Sequence, residues 1–403
     1  MGSGTPYFIP LEEAVEITLK RRLSPDSEEI SIDKAFHRTL SEPLSALTND
    51  PPFDNSAMDG FAVKYSESKN PPNNFKISNT IEAGNKFDNS IISGEAARIM
   101  TGAPIPKGAD SIIPIEACEV DEENQIVTLN QESKPHFIRK KGENFTENEI
   151  LLKTGTLLTP EKTSLCAAMG HNKIKVFKPL KVAIISTGDE LRLPGEVLQK
   201  GEIYESNTFG LSGLVKWLGH EPVRFSSVVD NLDKLRETLD AAATKCDLII
   251  TSGGVSMGDR DFVRKIMEDE GEIDFWRIKV RPGSPPLFGA WNETPIFGLP
   301  GNPVSSHVVF RILCGPWFRA QTSSSQPQES KIIVKLDQDI KTVPGFITLR
   351  RIHLYESEGE ILATTKHHQG SGNIASIALG EALTLLGPND TGKKGEYCSA
   401  LIL

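Results

Sequence analysis

The sequence predicts a multidomain protein of α/β and β class: an α/β unit, a β-rich unit, a linking segment and a small β-rich module at the carboxyl end. Three observations lead there. Residues 180–318 alternate apolar runs of strand length with amphipathic stretches of helix length, the pattern of a sheet covered by helices. Residues 48–150 show short β segments broken by turn formers, as at Asn70-Pro71-Pro72-Asn73-Asn74 and Asp121-Glu122-Glu123-Asn124. Residues 331–403 return to β character after the Ser- and Gln-rich stretch 322–328, which reads as a linker. At 403 residues the chain exceeds the size at which one core keeps growing, so about three or four domains or subdomains are expected.

Along the chain, residues 9–22 carry Leu11, Val15 and Leu19 at helical spacing behind Pro10. Residues 31–40 read as a second short helix, with a loop at 23–29 between them. In the α/β unit, strands are expected at 181–186, 248–251 and 295–297, and helices at 207–218, 231–243 and 262–268. A further helix opens at Pro303 and Val304 and runs to about residue 313 on its apolar spacing. There is no internal repeat.

Composition narrows the function classes. A hydrophobic fraction of 38% and a charged fraction of 24% suit a soluble globular protein. No apolar run approaches the ~20 residues that cross a bilayer, and the start, MGSGTPYFIPLEEAVEITLKRR, has neither the apolar core of a secretory signal nor Ser or Thr at position 6 for myristoylation. A cytoplasmic protein with no membrane attachment is expected. The five cysteines, Cys118, Cys166, Cys246, Cys314 and Cys398, are scattered and never form CxxC, which argues for small buried side chains over a disulfide scaffold or zinc site. A net charge of −10 disfavours nucleic-acid binding, so an anionic ligand needs a local basic patch.

Three polar turns follow the expected strands. Residues 247–261, DLIITSGGVSMGDRD, run from a buried strand into Ser252-Gly253-Gly254 and end on acids. Backbone N–H groups exposed at the carboxyl edge of a sheet, beside a helix start, make an anion cradle. Ser252 and Ser256 add hydroxyls, and Asp259 or Asp261 suits a divalent ion held against a phosphate. The plainer reading is an ordinary strand-to-helix turn. A second strand leads into Thr187-Gly188-Asp189-Glu190, with a hydroxyl and two acids as ion ligands or a base. The third turn, Gly298-Leu299-Pro300-Gly301-Asn302-Pro303, follows Pro295-Ile296-Phe297. In a doubly wound sheet such strand ends converge on one ligand near the point where strand order reverses.

The β-rich unit carries PPFDNSAMDGFAV at residues 51–63, a constrained loop with Asp54 and Asp59 five positions apart, and IMTGAPIPKGAD at 99–110. A rigid loop with acids can hold a base or an ion; Asp54 and Asn55 can equally cap local turns.

These segments, together with VAIISTGDEL, GEIYESN, FGLPGNPVSS and HHQGSGN, occur in the order of the molybdopterin molybdenumtransferase family, bacterial MoeA and the gephyrin E domain, which the chain resembles over nearly its whole length. The resemblance implies a molybdopterin-binding three-layer α/β domain (1–30 and 178–321), a linking domain (31–47 and 147–177), a β-rich domain (48–146) and a carboxyl-terminal β barrel (328–403). It further implies an elongated homodimer with its active site at the subunit interface. There molybdate replaces the adenylate of adenylylated molybdopterin with Mg²⁺ assistance, and AMP leaves.

Carried onto this chain, the resemblance makes Asp59, Glu190 and Asp261 the catalytic acids and Mg²⁺ ligands. The substrate contacts become Thr101, Thr187, Gly188, Asp189, Ser252, Gly253, Gly254, Ser256, Arg281, Ser284, Pro300 and Asn302, with Arg281, Pro282, Arg351 and Ser371 around molybdate. One segment departs: family members usually read Lys-Pro-Gly-Lys-Pro where this chain has Arg281-Pro282-Gly283-Ser284-Pro285. Arg281 keeps the charge in another shape and Ser284 loses one. His307, where the family commonly has a small apolar residue, is a candidate to restore positive potential. His367 and His368 would point opposite ways on a strand, so no zinc site is expected there. Two rivals stay open: a non-catalytic pterin-binding paralogue or scaffold, and a CinA-like nucleotide pyrophosphatase, which lacks the PPFDNSAMDG and HHQGSGN segments.

Overall fold

The structure, a computed structural model, describes residues 5–84, 89–229, 231–256, 258, 261–324 and 327–403. Among them, seven strands form the principal sheet: β1 (Tyr7–Ile9), β2 (Lys181–Ser186), β3 (Glu221–Arg224), β4 (Leu248–Ser252), β5 (Glu272–Ile278), β6 (Leu287–Trp291) and β7 (Thr294–Leu299). Their order is β1-β5-β6-β7-β4-β2-β3, parallel except on both sides of β6. Alternation along the strands feeds two cores. Val182, Ile184, Leu248 and Ile250 join α1 (Leu11–Thr18), α2 (Asn207–Trp217) and the helix that opens at Pro303. Ala183, Ile185, Ile249 and Ile296 join Leu235 and Leu239 of α3 (Leu232–Lys245) and Val263, Ile266 and Met267 of α4 (Phe262–Asp269). This is the expected three-layer α/β arrangement.

The register places the site. Ser186 lies opposite Ser252, and Ser252 opposite Leu299, so β2, β4 and β7 end level with one another. Strand order reverses between β2 and β4, which opens a crevice where their loops diverge. Helix α5 (Pro303–Val309) leaves from the β7 turn. It continues through a wider turn at Phe310–Cys314 into Gly315–Gln321, well past the expected stop near 313. Pro316 is the second residue of that final segment, in its first turn, where a missing N–H is tolerated, and Trp317 and Phe318 remain buried.

Residues 31–40 correct the sequence expectation. The segment leaves a strand, Ser27–Ser31, that pairs with Lys173–Phe177, and makes only a single turn at Ile32–Lys34 before His37 adopts a φ of 65°. Ala35 and Leu40 still reach the core shared with Leu158, Cys166 and Val176, so their apolar positions serve packing without a helix beyond that single turn.

The β-rich unit is a six-stranded sheet in the order Ser111–Pro114, Gly60–Val63, Glu95–Ile99, Asn73–Ile81, Ile126–Leu129, Cys118–Asp121. The carboxyl module closes as a barrel of Lys331–Leu336, Glu360–Thr364, Arg351–Ser357, Ala382–Leu385 and Tyr397–Ile402. Val280–Arg281 pairs with Ile347–Thr348 and ties the sheet to the barrel. All five cysteines are free, four of them buried. Among the described residues no helix is long and apolar enough to cross a membrane.

Candidate active site

A cleft of about 780 Å³ opens at the ends of β2, β4 and β7, lined by Thr187, Gly188 and Glu190, by 252–256 and Asp261, by 300–303, and by Ile203 to Asn207. Gly372 and Ile374 reach it from the barrel, where Val304 N–H donates to Ser371 O at 3.1 Å. All three polar turns singled out in the sequence therefore meet. None of the residues lining the cleft among the described residues is Lys, Arg or His, while Glu190, Glu205 and Asp261 all face it.

Its floor is tightly built. Gly253 and Gly254 have φ of 103° and 70°, and a Cβ at Gly253 would stand 2.8 Å from Thr187 Oγ1. Only glycine lets these turns approach. Thr187 N–H donates to Ser252 O at 3.2 Å, and Gly253 N–H to Leu299 O at 3.0 Å. The Glu190 carboxylate folds over Gly188, 2.6–2.9 Å from where a Cβ would lie. Asp261 Oδ2 accepts from Gly258 N–H at 2.5 Å just ahead of α4. Ser256 is exposed on the cleft and Asn302 stands on its rim, whereas Asp189 does not line it. Asp259, the other candidate ion ligand in this loop, lies outside the described residues.

Ser252 departs from its expected role. It is almost fully buried, its Oγ accepting from Asn207 Nδ2 at 2.8 Å and lying 3.3 Å from Pro300 O. The hydroxyl braces the floor and presents little to a ligand. Glu205 is likewise buried, accepting from Thr208 N–H at 2.8 Å and Thr208 Oγ at 2.6 Å. Neither Glu205 nor Asn207 figured among the sequence candidates. The only signal was GEIYESN immediately ahead of an expected helix, which capping alone explains.

The family comparisons agree with this architecture. Residues 9–170 match the family described as MoeA N-terminal region (domain I and II), and residues 183–320 match the probable molybdopterin binding domain. A molybdopterin molybdenumtransferase of Haemophilus influenzae is 35% identical over 370 residues, 90% of this chain and 91% of that protein. The chain belongs to the molybdopterin molybdenumtransferase family. A molybdopterin molybdenumtransferase of Bacillus subtilis is 32% identical over 94% of this chain and 90% of that protein. A molybdopterin biosynthesis MoeA protein from Pyrococcus horikoshii superposes with a TM-score of 0.84 at 26% identity, covering 98% of this chain and 100% of that chain.

Within this molybdopterin molybdenumtransferase family member, several expected residues lie apart from the cleft. Asp59 Oδ1 accepts from Thr101 N–H at 2.6 Å and from Thr101 Oγ at 2.7 Å, and these bonds hold its carboxyl below the usual range. The pair is exposed on the β-rich sheet and does not line the cleft. Asp54 turns out to be braced: burial works against its charge, yet Lys140 Nζ and Lys141 N–H, each at 2.8 Å, hold its carboxyl low. Ser284 corrects the sequence expectation outright. It is fully buried and donates to Val280 O at 2.7 Å, closing the turn it sits in. Arg281 stacks its guanidinium 5.0 Å from the Phe346 ring of the barrel, and neither it nor Pro282 lines the cleft.

His307 does not restore positive charge. Burial, aided by the nearby Arg311, pushes its imidazole below the ordinary value, and the ring packs against Gly210 of α2. A buried cation lies in the barrel instead. Arg351 is 2% exposed, with Nε donating to Ser376 Oγ and Nη2 to Gly370 O, both at 2.9 Å. Its Nη1 is buried without a hydrogen-bond partner, and burial together with Arg350 pushes its pKa down to about 10. Ser371 follows Gly370 in the same loop.

The donor set fits Mg²⁺ in part. Among the described residues no three His, Cys, Asp or Glu side chains cluster as a ready ion site. Mg²⁺ is commonly held by one or two carboxylates, with waters and substrate phosphates completing the octahedron, and Glu190 and Asp261 on one cleft meet that need. Asp59 does not join them within one chain.

Proposed function

We propose that this chain acts as a molybdopterin molybdenumtransferase in molybdenum cofactor biosynthesis, inserting molybdate into adenylylated molybdopterin with release of AMP. The observation that carries the reading is the cleft at three level strand ends, acidic on its walls and met by a barrel loop over a buried arginine. The turns at 187–190, 253–256 and 300–302 seat the pterin phosphate and adenylate through backbone and hydroxyl donors. Glu190 and Asp261 would hold Mg²⁺, which when bound neutralises phosphate oxygens during transfer. Arg351, with an unpartnered Nη1, and the adjacent Ser371 supply positive potential and a hydroxyl suited to a tetrahedral dianion. The Asp59–Thr101 pair enters from a second copy of the chain in a homodimer, since one chain leaves it off the cleft.

The test incubates purified protein with adenylylated molybdopterin, Mg²⁺ and molybdate, following AMP and metallated cofactor together. Molybdate-dependent AMP release with cofactor formation supports the reading. A second reading, a pterin-binding paralogue without turnover, draws on the absence of Lys, Arg and His from the cleft lining among the described residues; tight binding with no AMP release under any oxyanion would favour it.

A further inference from the structure

Asn207 opens α2, where an Asn or Ser usually caps its own helix. Here it does not. Ser206, the residue at the cap position, makes no side-chain cap bond, and the first-turn N–H of Thr208 is taken by Glu205 at 2.8 Å. Freed from capping, the Asn207 carboxamide crosses the cleft floor. Its Nδ2 donates to Ser252 Oγ at the end of β4 (2.8 Å) and to Gly301 O in the turn after β7 (2.7 Å). A carbonyl can only accept, so the contact with Gly301 fixes which atom of the amide is nitrogen. Oδ1 is buried with no partner, so the side chain is held by its donors while its acceptor goes unsatisfied. The two turns it joins run close together: a Cβ on Gly301 would come into ordinary van der Waals contact with Gly253 Cα, at 3.4 Å.

We infer that Asn207 is a positioning residue for the transfer reaction, setting the spacing of the β4 and β7 turns and directing the Ser252 hydroxyl away from the cleft. With Nδ2 on its oxygen, Ser252 turns its proton toward Pro300 O, 3.3 Å away, and backbone groups of the two turns are left to meet the anionic part of the ligand. Three elements converge through one amide, and a shift of a few tenths of an ångström at either turn changes the fit of the phosphate-bearing substrate. The inference rests on the proposed function for its ligand but not for its readout, because binding is measured separately from turnover.

The experiment compares wild type, Asn207→Ala, Asn207→Asp and Ser252→Ala. Equilibrium binding of adenylylated molybdopterin is followed by fluorescence, steady-state AMP release is measured on the same preparations, and thermal melts are recorded. Asn207→Asp keeps the shape and removes the donors; Asn207→Ala removes the donors together with the carboxamide and adds no charge to an acidic cleft. Both are expected to weaken binding and raise KM by on the order of 10-fold or more, with kcat within about threefold and melting close to wild type. Ser252→Ala, which keeps the Gly301 bond, is expected to change binding by less than about threefold. Wild-type binding by both Asn207 variants overturns the inference, and so does a loss of binding that only parallels a loss of melting temperature. Absence of AMP release from wild type would sink the proposed function and leave the binding comparison to decide the role of Asn207.

Discussion

The cleft at the ends of β2, β4 and β7 and the barrel loop that meets it hold opposite charge by different means. The cleft gathers Glu190, Glu205 and Asp261 with no lining cation among the described residues, and two of these acids stay open to ligand. The loop at 370–373 instead overlies one deeply buried arginine whose bonds to Gly370 and Ser376 also shape it. Under the proposed function, the wall that would take an exchangeable cation is accessible and polar, whereas the fixed cation that would attract an oxyanion is buried, where its field is less screened. One region is tuned for exchange and the other for permanence.

The largest effect is expected where that permanence is removed. Arg351→Met leaves Gly370 O and Ser376 Oγ without their donor and should destabilise the fold by about 3 kcal/mol in denaturant titration, with molybdate dependence lost. Arg351→Lys keeps charge but not the paired geometry, and should raise the molybdate requirement more than it lowers stability. Unchanged molybdate dependence in the lysine variant would break the comparison.

The pH range for such comparisons is bounded by His220. Burial, with His37 nearby, pushes its pKa down from 6.5 to about 4, and its Nδ1 accepts from Leu180 N–H at 3.2 Å. The unfolded chain therefore binds a proton below about pH 6.5 that the folded chain refuses until about pH 4. The stabilisation is complete above 6.5 and is lost as pH falls through that window, by as much as ~3 kcal/mol. His220→Gln should flatten this part of the stability curve while leaving AMP release at pH 8 unchanged.

Glu190→Gln and Asp261→Asn address the exchangeable side. Each should lower AMP release by about 100-fold at limiting Mg²⁺, recover partly at high Mg²⁺, and move stability by less than ~0.5 kcal/mol because both side chains stand at the cleft surface. Equal loss at all Mg²⁺ concentrations would assign these acids another role. A smaller effect is expected at Gly253→Ala, where φ of 103° and the close approach of Thr187 predict a cost of about 1–3 kcal/mol seen in melting. The smallest belongs to Lys140→Ala: its pair with Asp54 is solvent-exposed and worth under ~0.5 kcal/mol.

How much was legible follows from the range of the interactions involved. Strands β2, β4 and β7 announced themselves as apolar runs ending in Gly- and Pro-bearing turns, since strand burial and left-handed backbone are local properties. Helices α2, α3 and α4 were likewise readable from spacing. Residues 31–40 misled because their apolar positions fit a helix equally well, and only packing against distant parts of the chain, Leu158, Cys166 and Val176, decides otherwise. Ser284 looked like a lost ligand, and only the fold shows its hydroxyl closing a turn on Val280. Asn207 stood only as the first residue of an expected helix, and only the convergence of two other strand ends reveals where its amide goes.

The sequence alone determined the class of the protein, the family to which it belongs and the three turns that make the cleft, because each is written in contiguous residues. The tertiary structure alone decided that the cleft lining carries acids and no Lys, Arg or His among the described residues, that Arg351 lies buried in the barrel, and that Asp59 and Thr101 do not line the cleft. Charge balance at a site is a sum over residues brought together from distant parts of the chain, and no contiguous segment contains that sum.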